Sequence, residues 1–243
     1  MIYDAHCHLH EFSDEYIDNL FSKRRYVVVS VSDDFSSSLR TLRLYEKHRD
    51  FVIPCIGIHP WAIDRSSEKD LETILSLRDR LSINCIGEVG LDTVFTPQTI
   101  DKQLKFFLQI LEYARDKKIV LNIHAPGTWP RVLELLYRYD IYKAVIHWYT
   151  GPQELLRDIR DHGYAITINP AVKIQKKHQE IVAKSDLDII LLESDGPYEY
   201  KGLKLSPEMI EETIEYISKA KNIERSELEK IIENNFKKIF IHQ

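Results

Sequence analysis

Two histidines lie two residues apart near the start of the chain, in the segment Asp4-Ala5-His6-Cys7-His8. Alternate side chains of a β-strand share a face, so a first strand over residues 1–8 would place Asp4, His6 and His8 on one side and Cys7 on the other. Two imidazoles on one face are well placed to bind a divalent cation, and a nearby carboxylate can complete the ligand set. An isolated His-x-His pair most often binds no metal, so this interpretation depends on the rest of the chain.

Further side chains of the metal-binding type stand where predicted strands end. They are His59 after strand 3, Glu88 at the end of strand 4, His124 at the end of strand 5, His147 at the end of strand 6 and Asp195 just after strand 8. In a parallel barrel the carboxyl ends of all strands open at one mouth, where the active sites of this fold lie. We therefore predict that His6, His8, Glu88, His124, His147 and Asp195 converge as metal ligands. For His59 a substrate contact and an ordinary hydrogen-bonded position at the rim both stay open.

Six ligands exceed the needs of one tetrahedral ion that keeps a position free for water. Two divalent ions that share a carboxylate fit the number better. We predict that His6, His8 and Asp195 bind one ion and that His124 and His147 bind the other, with Glu88 between them. Zinc, magnesium and manganese all remain candidates.

The elements that position these residues follow from the hydrophobic pattern. Eight short apolar segments are predicted as strands, at 1–8, 25–31, 51–57, 83–88, 119–124, 143–147, 164–168 and 188–193, and most are separated by helical patterns. This alternation predicts an α/β fold, a (β/α)8 TIM-like barrel with additional C-terminal helices. Ser206-Pro207 and a capping box at 226–229 are expected to begin those two helices. An open doubly wound sheet is the alternative, although no glycine-rich loop follows the first strand. We find no linker or internal repeat and expect one domain over residues 1–243.

Composition sets further bounds on location and partners. No stretch approaches eighteen consecutive apolar residues, and the start lacks the pattern of a secretory signal. The three cysteines, Cys7, Cys55 and Cys85, are too few and too scattered for a disulfide framework, and each is predicted as a buried thiol. We therefore expect a cytoplasmic protein without an obligate protein partner. The net charge of −5 argues against a broad basic surface for nucleic acid.

The same segments resemble the TatD family of metal-dependent hydrolases. The matching motifs are residues 4–8, Gly57-Ile58-His59-Pro60, residues 87–92, Ile123-His124, Ile146-His147 with Thr150-Gly151, and residues 192–198. A weaker match covers 235–240. The resemblance implies a TIM-like barrel, two divalent cations and hydrolysis, most often of phosphodiesters in DNA. It also implies Asp195 as the general base that takes a proton from the attacking water.

Several positions around the metal ligands depart from the family pattern. Ala125-Pro126 stand where the family usually has Ser-Arg, so one plausible phosphate contact is missing. Lys201-Gly202 keeps a basic residue in the stretch after strand 8, and Lys201 is a candidate substrate contact. We expect a deoxyribonuclease acting on DNA or oligonucleotides. The alternatives are a metal-dependent ester or amide hydrolase, such as an aminoacyl-tRNA deacylase, and a non-enzymic barrel with structural metals.

Two further groups of residues keep two interpretations each. Glu193 shares a strand face with Asp195, and either supports a metal-binding histidine or forms an ion pair with lysine or arginine. Trp61, Trp129 and Trp148 lie near strand-end histidines and either stack on a nucleobase or pack at the barrel mouth.

Overall fold

Eight parallel strands alternate with helices along the chain, in a computed structural model that describes residues 1–241. The strands are β1 Ile2–Cys7, β2 Tyr26–Ser30, β3 Val52–Pro54, β4 Cys85–Gly90, β5 Val120–His124, β6 Lys143–Ile146, β7 Ala165–Ile168 and β8 Ile190–Leu192. They form a three-stranded sheet, β1-β2-β3, and a five-stranded sheet, β4-β5-β6-β7-β8. The predicted TIM-like α/β fold is confirmed. His242, to which the sequence assigned no role, lies outside the described residues.

The two sheets meet at two seams. Between β8 and β1, the backbone N–H of Asp195 donates to the carbonyl of His6 (3.0 Å), and that of His8 donates to Gly196 (2.9 Å). Between β3 and β4, a backbone bridge joins Ile56 to Ile86. Within residues 1–241, regular pairing therefore runs inside each sheet, isolated contacts replace it at the seams, and no continuous ladder closes the barrel. The first seam places the two ends of the predicted ligand set side by side.

The helices cover the outside of the sheets. They are α1 Asp14–Ser22, α2 Phe35–Lys47, α3 Glu68–Leu81, α4 Ile100–Ala114, α5 Trp129–Arg138, α6 Leu155–Asp161, α7 Lys176–Lys184, α8 Ile210–Lys221 and α9 Arg225–Phe240. Helix α7 was not predicted, because its three lysines and few apolar residues leave a weak apolar stripe. The capping box at Ser226 is wrong, since α9 begins at Arg225 and Glu224 is its N-cap. None of the helices within residues 1–241 is long and apolar enough to cross a bilayer.

The last helix fills the end of the barrel where the strands begin. Phe236, Ile239 and Phe240 pack among the inward-facing side chains of the strands, and the ring of Phe236 lies 4.8 Å from that of Tyr3. The amide of Asn235 donates to the carbonyls of Leu187 (2.7 Å) and Ile190 (2.9 Å), which fixes the helix against the start of β8. Apolar side chains thus occupy one end of the barrel and leave the other end for polar groups.

Strand β1 departs from the strict alternation that the sequence predicted. Ala5 belongs to the inner cluster, whereas Cys7, two residues later, belongs to the outer one. The pairing of β1 with β2 is irregular between Asp4 and Cys7, which shifts the alternation by one residue. The prediction that Asp4 shares a face with His6 and His8 is therefore wrong. The predicted burial of Cys7 away from the two histidines is confirmed.

The prediction of three free thiols is wrong for Cys55 and Cys85, which form a disulfide. Both side chains face the inside of the barrel, and the β3–β4 seam brings their Cα atoms to 4.6 Å. Thirty residues separate the pair in sequence, so only the neighbouring positions of β3 and β4 reveal it. The cysteines consequently no longer support a cytoplasmic location.

Candidate metal centre

The strand ends bring two histidines and two carboxylates together at the β8–β1 seam. The Nε2 atoms of His6 and His8 lie 3.4 Å apart, and each lies 3.3 Å from Oε2 of Glu88. Oδ1 of Asp195 lies 3.4 Å from the first of these nitrogens and 3.5 Å from the second. All four side chains are buried or nearly so. This group can hold one cation.

A second group meets the other oxygen of the same glutamate. Oε1 of Glu88 lies 2.8 Å from Nδ1 of His124, 3.0 Å from Nε2 of His147 and 3.3 Å from Nε2 of His59. The side chain of Glu88 is only 1% exposed, so its two oxygens face the two groups without access to bulk water. The glutamate therefore lies between the groups, the position that the sequence assigned to it.

The outer nitrogens of the first two histidines lie near side-chain oxygens. Nδ1 of His6 lies 2.8 Å from Oδ1 of Asn122, whose amide nitrogen donates to the carbonyl of Ala5 (2.9 Å) and so fixes its orientation. Nδ1 of His8 lies 3.1 Å from Oδ1 of Asp33, an ion-pair distance, but makes no hydrogen bond among the described residues. The acceptor at Nδ1 of His6 places the proton of the neutral ring there, which leaves a lone pair on Nε2.

One of the other two histidines is oriented in the same manner as His6. Nε2 of His124 lies 2.9 Å from Oδ2 of Asp92, so the lone pair of the neutral ring is on Nδ1 and faces the centre. Nδ1 of His147 lies 3.5 Å from Oε2 of Glu193 but makes no hydrogen bond among the described residues. The same glutamate accepts hydrogen bonds from Thr167 (2.6 Å) and from the backbone of Trp148 (3.1 Å). Among residues 1–241, these contacts favour the interpretation that Glu193 supports His147 over the alternative that it forms an ion pair with lysine or arginine.

The donor set fits divalent cations because imidazole nitrogens and carboxylate oxygens converge on one small volume. Ring nitrogens of His6, His8, His124 and His147 lie around two carboxylates, and Oε2 of Glu88 is buried without a hydrogen-bond partner among the described residues. Burial and the nearby His147 lower the pKa of His6, but Glu88 and Asp195 outweigh them and raise it to about 9. The pKa of Glu88 is lowered despite burial, because the surrounding histidines favour its charged form. The centre thus demands positive charge, which protons or metal ions can supply.

His59 differs from the four histidines described above. Its Nδ1 accepts a hydrogen bond from the backbone N–H of Trp61 (3.0 Å), so the neutral ring carries its proton on Nε2. Burial lowers its pKa, and the neutral form is therefore the one present at neutral pH. Nε2 faces the centre as an N–H donor, which makes His59 a hydrogen-bonding residue at the rim of the centre.

Asp4 lies behind the centre and joins two strands. Its carboxylate accepts hydrogen bonds from the backbone N–H (2.9 Å) and hydroxyl (2.6 Å) of Ser194 and from the backbone N–H of His6 (3.2 Å). Burial raises its pKa to about 7, although these hydrogen bonds oppose the shift. Asp4 therefore fixes β1 against the segment that carries Asp195.

At Gly87, the backbone around the centre leaves no space for a residue larger than glycine. A Cβ atom added to Gly87 would lie 2.6 Å from Cβ of Asn122 and 2.9 Å from its carbonyl oxygen. Glycine is thus required where β4 passes the side chain that orients His6. Asp195 and Trp148 have positive φ angles of 52° and 42°, a conformation that non-glycine residues adopt mainly where the surrounding structure imposes it.

A cavity of about 1010 Å³ opens above the centre. Trp61, Phe95, Trp129, Trp148, Tyr198 and Tyr200 supply aromatic walls, and Arg65 and Lys177 supply positive charge. Pro126, at the position where the resemblance implied an arginine, also lines it. Lys201 is not among the described residues that line this cavity. It is exposed in the turn between β9 Glu199–Tyr200 and β10 Leu203–Lys204, with its amine over the ring of Tyr200.

Three residues that contact the histidines were not predicted from the sequence. Asn122 stands two residues before His124 on the same strand face, Asp33 follows strand β2, and Asp92 lies in the loop after β4. The strand-end rule could have found Asp33, and the alternation of β5 could have found Asn122. His10, to which the sequence assigned no role, has both ring nitrogens 3.1 Å from oxygens, those of Val31 and Asp33.

The comparisons with known proteins agree with this geometry. The family described as TatD related DNase matches residues 3–241. The chain belongs to the TatD family. It is 28% identical over 246 residues to an uncharacterised metal-dependent hydrolase of Methanocaldococcus jannaschii, covering 98% of this chain and 96% of that protein. It is also 28% identical to the deoxyribonuclease TATDN3 of Homo sapiens, covering 98% and 93% of the two chains.

The solved structures agree on the fold. The crystal structure of YJJV, a TatD homologue from Escherichia coli K12, superposes with a TM-score of 0.87 at 22% identity and covers 100% of this chain and 98% of that one. A TatD family hydrolase from Entamoeba histolytica gives a TM-score of 0.82 at 16% identity, with 99% and 98% coverage. The protein is a metal-dependent hydrolase of this family.

Proposed function

We propose that this hydrolase is a phosphodiesterase that cleaves DNA with two divalent cations. The observation that carries the proposal is the convergence of four histidines around Glu88 and Asp195, with His6 and His124 oriented by hydrogen bonds to their outer nitrogens. His6, His8 and Asp195 would hold one cation, His124 and His147 the other, and Glu88 both. When bound, the pair of cations lowers the pKa of water and neutralises negative charge on the group being cleaved.

The mixture of donors bears on which cation binds. Four imidazoles suit zinc, whereas magnesium and manganese prefer oxygen ligands. The hydrogen bonds of Asn122 to His6 and of Asp92 to His124 favour tight binding without rearrangement. We therefore favour zinc over magnesium or manganese as the ion in the active protein.

Asp195 would act as the general base. It is 7% exposed in its side chain and lines the cavity, so it reaches the space where water and substrate meet. Burial opposes its ionisation, but the nearby imidazoles of His6 and His8 keep its pKa well below the usual range. The ionised carboxylate can accept a proton from the attacking water, and the Nε2–H of His59 can donate to negative charge that develops on the substrate.

The substrate assignment draws on the relatives and on the cavity. One relative is named as a deoxyribonuclease, and positive charge at the mouth comes from Arg65 and Lys177 rather than from Lys201. The cavity lies at the upper limit of the roughly 300–1,000 Å³ common for small-molecule pockets. A DNA end with more than one residue suits that space. Cytoplasmic residence remains a prediction, which now depends on the DNA substrate and not on the cysteines.

One observation favours a second candidate. Pro126 occupies the cavity wall where the family resemblance implied an arginine, so one phosphate contact is absent. An uncharged or acyl substrate, such as the ester of an aminoacyl-tRNA, would tolerate this loss better than a phosphodiester. Faster turnover of aminoacyl esters than of DNA by the same preparation would favour this alternative.

The decisive experiment uses metal-free protein reconstituted with Zn²⁺, Mn²⁺ or Mg²⁺ and given labelled single-stranded DNA. We expect nucleotides to be released, and Asp195→Asn to slow their release by about 100-fold or more, as expected for a general base. Asp116→Asn is the matched control, because Asp116 is 85% exposed on the surface. Absence of product with every metal, or normal release by Asp195→Asn, would refute the proposal.

A further inference from the structure

The tryptophans that line the cavity have different environments. Trp129 is only 9% exposed and packs against Tyr149 at a ring distance of 5.0 Å, so it belongs to the wall of the fold. Trp61 is 41% exposed and meets Phe95, itself 57% exposed, edge to face at 5.3 Å. An exposed aromatic pair at the mouth of a cavity is unusual unless a ligand covers it. We name Trp61 and Phe95 the aromatic wall.

The aromatic wall is held in a fixed position. The indole N–H of Trp61 donates to Oδ2 of Asp92 at 2.6 Å. The other oxygen of that carboxylate accepts the backbone N–H of Val94 (2.7 Å) and of Phe95 (2.8 Å). One buried carboxylate thus positions both members of the wall, and neither needs to become ordered when a ligand arrives.

The same carboxylate ties the wall to the metal centre. Oδ2 of Asp92 also lies 2.9 Å from Nε2 of His124, and the ring of Trp61 lies 5.8 Å from that of His124 and 5.1 Å from that of His59. A ring stacked on Trp61 would therefore lie at a defined place beside the His124 half of the centre. The wall is part of the reaction cavity and not a remote surface.

Positive charge accompanies the wall. Arg65 ends the short 3-10 helix Pro60–Arg65 that carries Trp61, and it also lines the cavity. Its guanidinium is 63% exposed while it pairs with Asp34 at 3.1 Å. A flat ring surface with a cation on the same helix matches a nucleobase joined to a phosphate.

We propose that Trp61 and Phe95 form a subsite that stacks on a nucleobase next to the scissile phosphodiester, with Arg65 facing the adjoining phosphate. The inference rests on the proposed function and states which part of the substrate is recognised. The subsite makes the enzyme select nucleotide diesters over diesters that lack a base. It takes no part in bond cleavage itself.

The test compares two chromogenic diesters that release the same p-nitrophenolate. One is thymidine 5′-(p-nitrophenyl phosphate) and the other is methyl p-nitrophenyl phosphate. We expect wild-type protein to prefer the nucleoside substrate, and Trp61→Leu to reduce the ratio of the two kcat/KM values by about 5- to 100-fold, the range for a lost base stack. The change should fall mainly on KM for the nucleoside substrate, and Trp61→Phe should keep most of the ratio.

Tyr142→Leu is the matched control, because this aromatic residue is 37% exposed and lies outside the cavity. Equal losses on both substrates in Trp61→Leu would show a merely structural effect and overturn the inference, as would an unchanged ratio. If wild-type protein hydrolyses neither diester, the proposed function fails. Calorimetric titration with thymidine 5′-monophosphate and with methyl phosphate then tests the subsite without hydrolysis. If Trp61→Leu binds thymidine 5′-monophosphate as tightly as wild-type protein does, the subsite inference is overturned.

Discussion

Replacing Asp92 with asparagine tests whether a group outside the metal centre decides which nitrogen of His124 can bind a cation. Oδ2 of Asp92 accepts from both His124 and Trp61, while Oδ1 accepts two backbone N–H groups. Asparagine keeps the second function, because its carbonyl can take the place of Oδ1. The NH2 group of asparagine then takes the place of Oδ2. This group donates hydrogen bonds, so it cannot accept those of His124 and Trp61.

The size of the effect follows from these contacts. The indole N–H of Trp61 loses its acceptor, and because Trp61 is 41% exposed and water can reach it, the free energy of unfolding falls by about 0.5–1.5 kcal/mol, the net value of one hydrogen bond. Nε2 of His124 can accept from the new amide only by moving its proton to Nδ1, the nitrogen that faces Glu88. The lone pair for the cation is then lost. Changes of this kind lower metal affinity about 10- to 100-fold, or about 1.4–2.7 kcal/mol.

The assay measures two quantities on the metal-free protein. Calorimetric titration with Zn²⁺ or Mn²⁺ gives the metal affinity, and urea denaturation gives the free energy of unfolding. Asp116→Asn, an identical exchange at an exposed position, is the control and should change neither quantity. We expect both to fall in Asp92→Asn.

The metal affinity and the free energy of unfolding of Asp92→Asn need not change together. If the free energy of unfolding falls and the metal affinity stays at the wild-type value, Asp92 only supports the loop and Trp61. The argument that it fixes the tautomer of His124 would then be refuted. Unchanged stability would contradict the hydrogen-bond geometry itself.

Three further predictions concern pH, the seam and the core. Metal affinity should decrease as pH falls, because the carboxylates raise the pKa of His6 to about 9 and protons compete with the cation below that pH. Activity should therefore fall below about pH 6. A full rate at pH 5 would contradict this prediction. Joint replacement of Cys55 and Cys85 by alanine should lower the free energy of unfolding by about 3–4 kcal/mol, given the 30-residue separation, and an unchanged urea midpoint would show that the disulfide does not stabilise the seam. Phe236→Ala should cost about 3–5 kcal/mol by the same assay, because this ring is fully buried at the end of the barrel, whereas a cost under about 1 kcal/mol would mean that the cavity collapses.

The sequence alone was enough to predict the barrel and the residues that meet at its mouth. Apolar segments alternating with helical patterns specify parallel strands, and parallel strands in a barrel end at one mouth. The strand-end positions of Glu88 and His124 were therefore sufficient to predict that they meet, although 36 residues separate them. Where a helix lacked a clear apolar stripe, as in α7, the pattern failed.

What the histidines can do was decided by the tertiary structure. The tautomers of His6 and His124 depend on Asn122 and Asp92, side chains from other positions that only the packed strands bring within 3 Å. The difference between a ligand and the donor His59 likewise comes from one local hydrogen bond to its ring. Residue type gives an imidazole, but its neighbours determine where the proton lies.

The corrections have the same physical origin. A register irregularity in β1 turned Asp4 away from the histidines, and the β3–β4 seam paired Cys55 with Cys85. Lys201 lies in a hairpin turn and does not line the cavity, while Arg65 supplies charge there. Periodicity in the sequence specifies which elements form and how they are ordered. Register, seams and loop directions depend on how those elements pack, and so only the tertiary structure determined them.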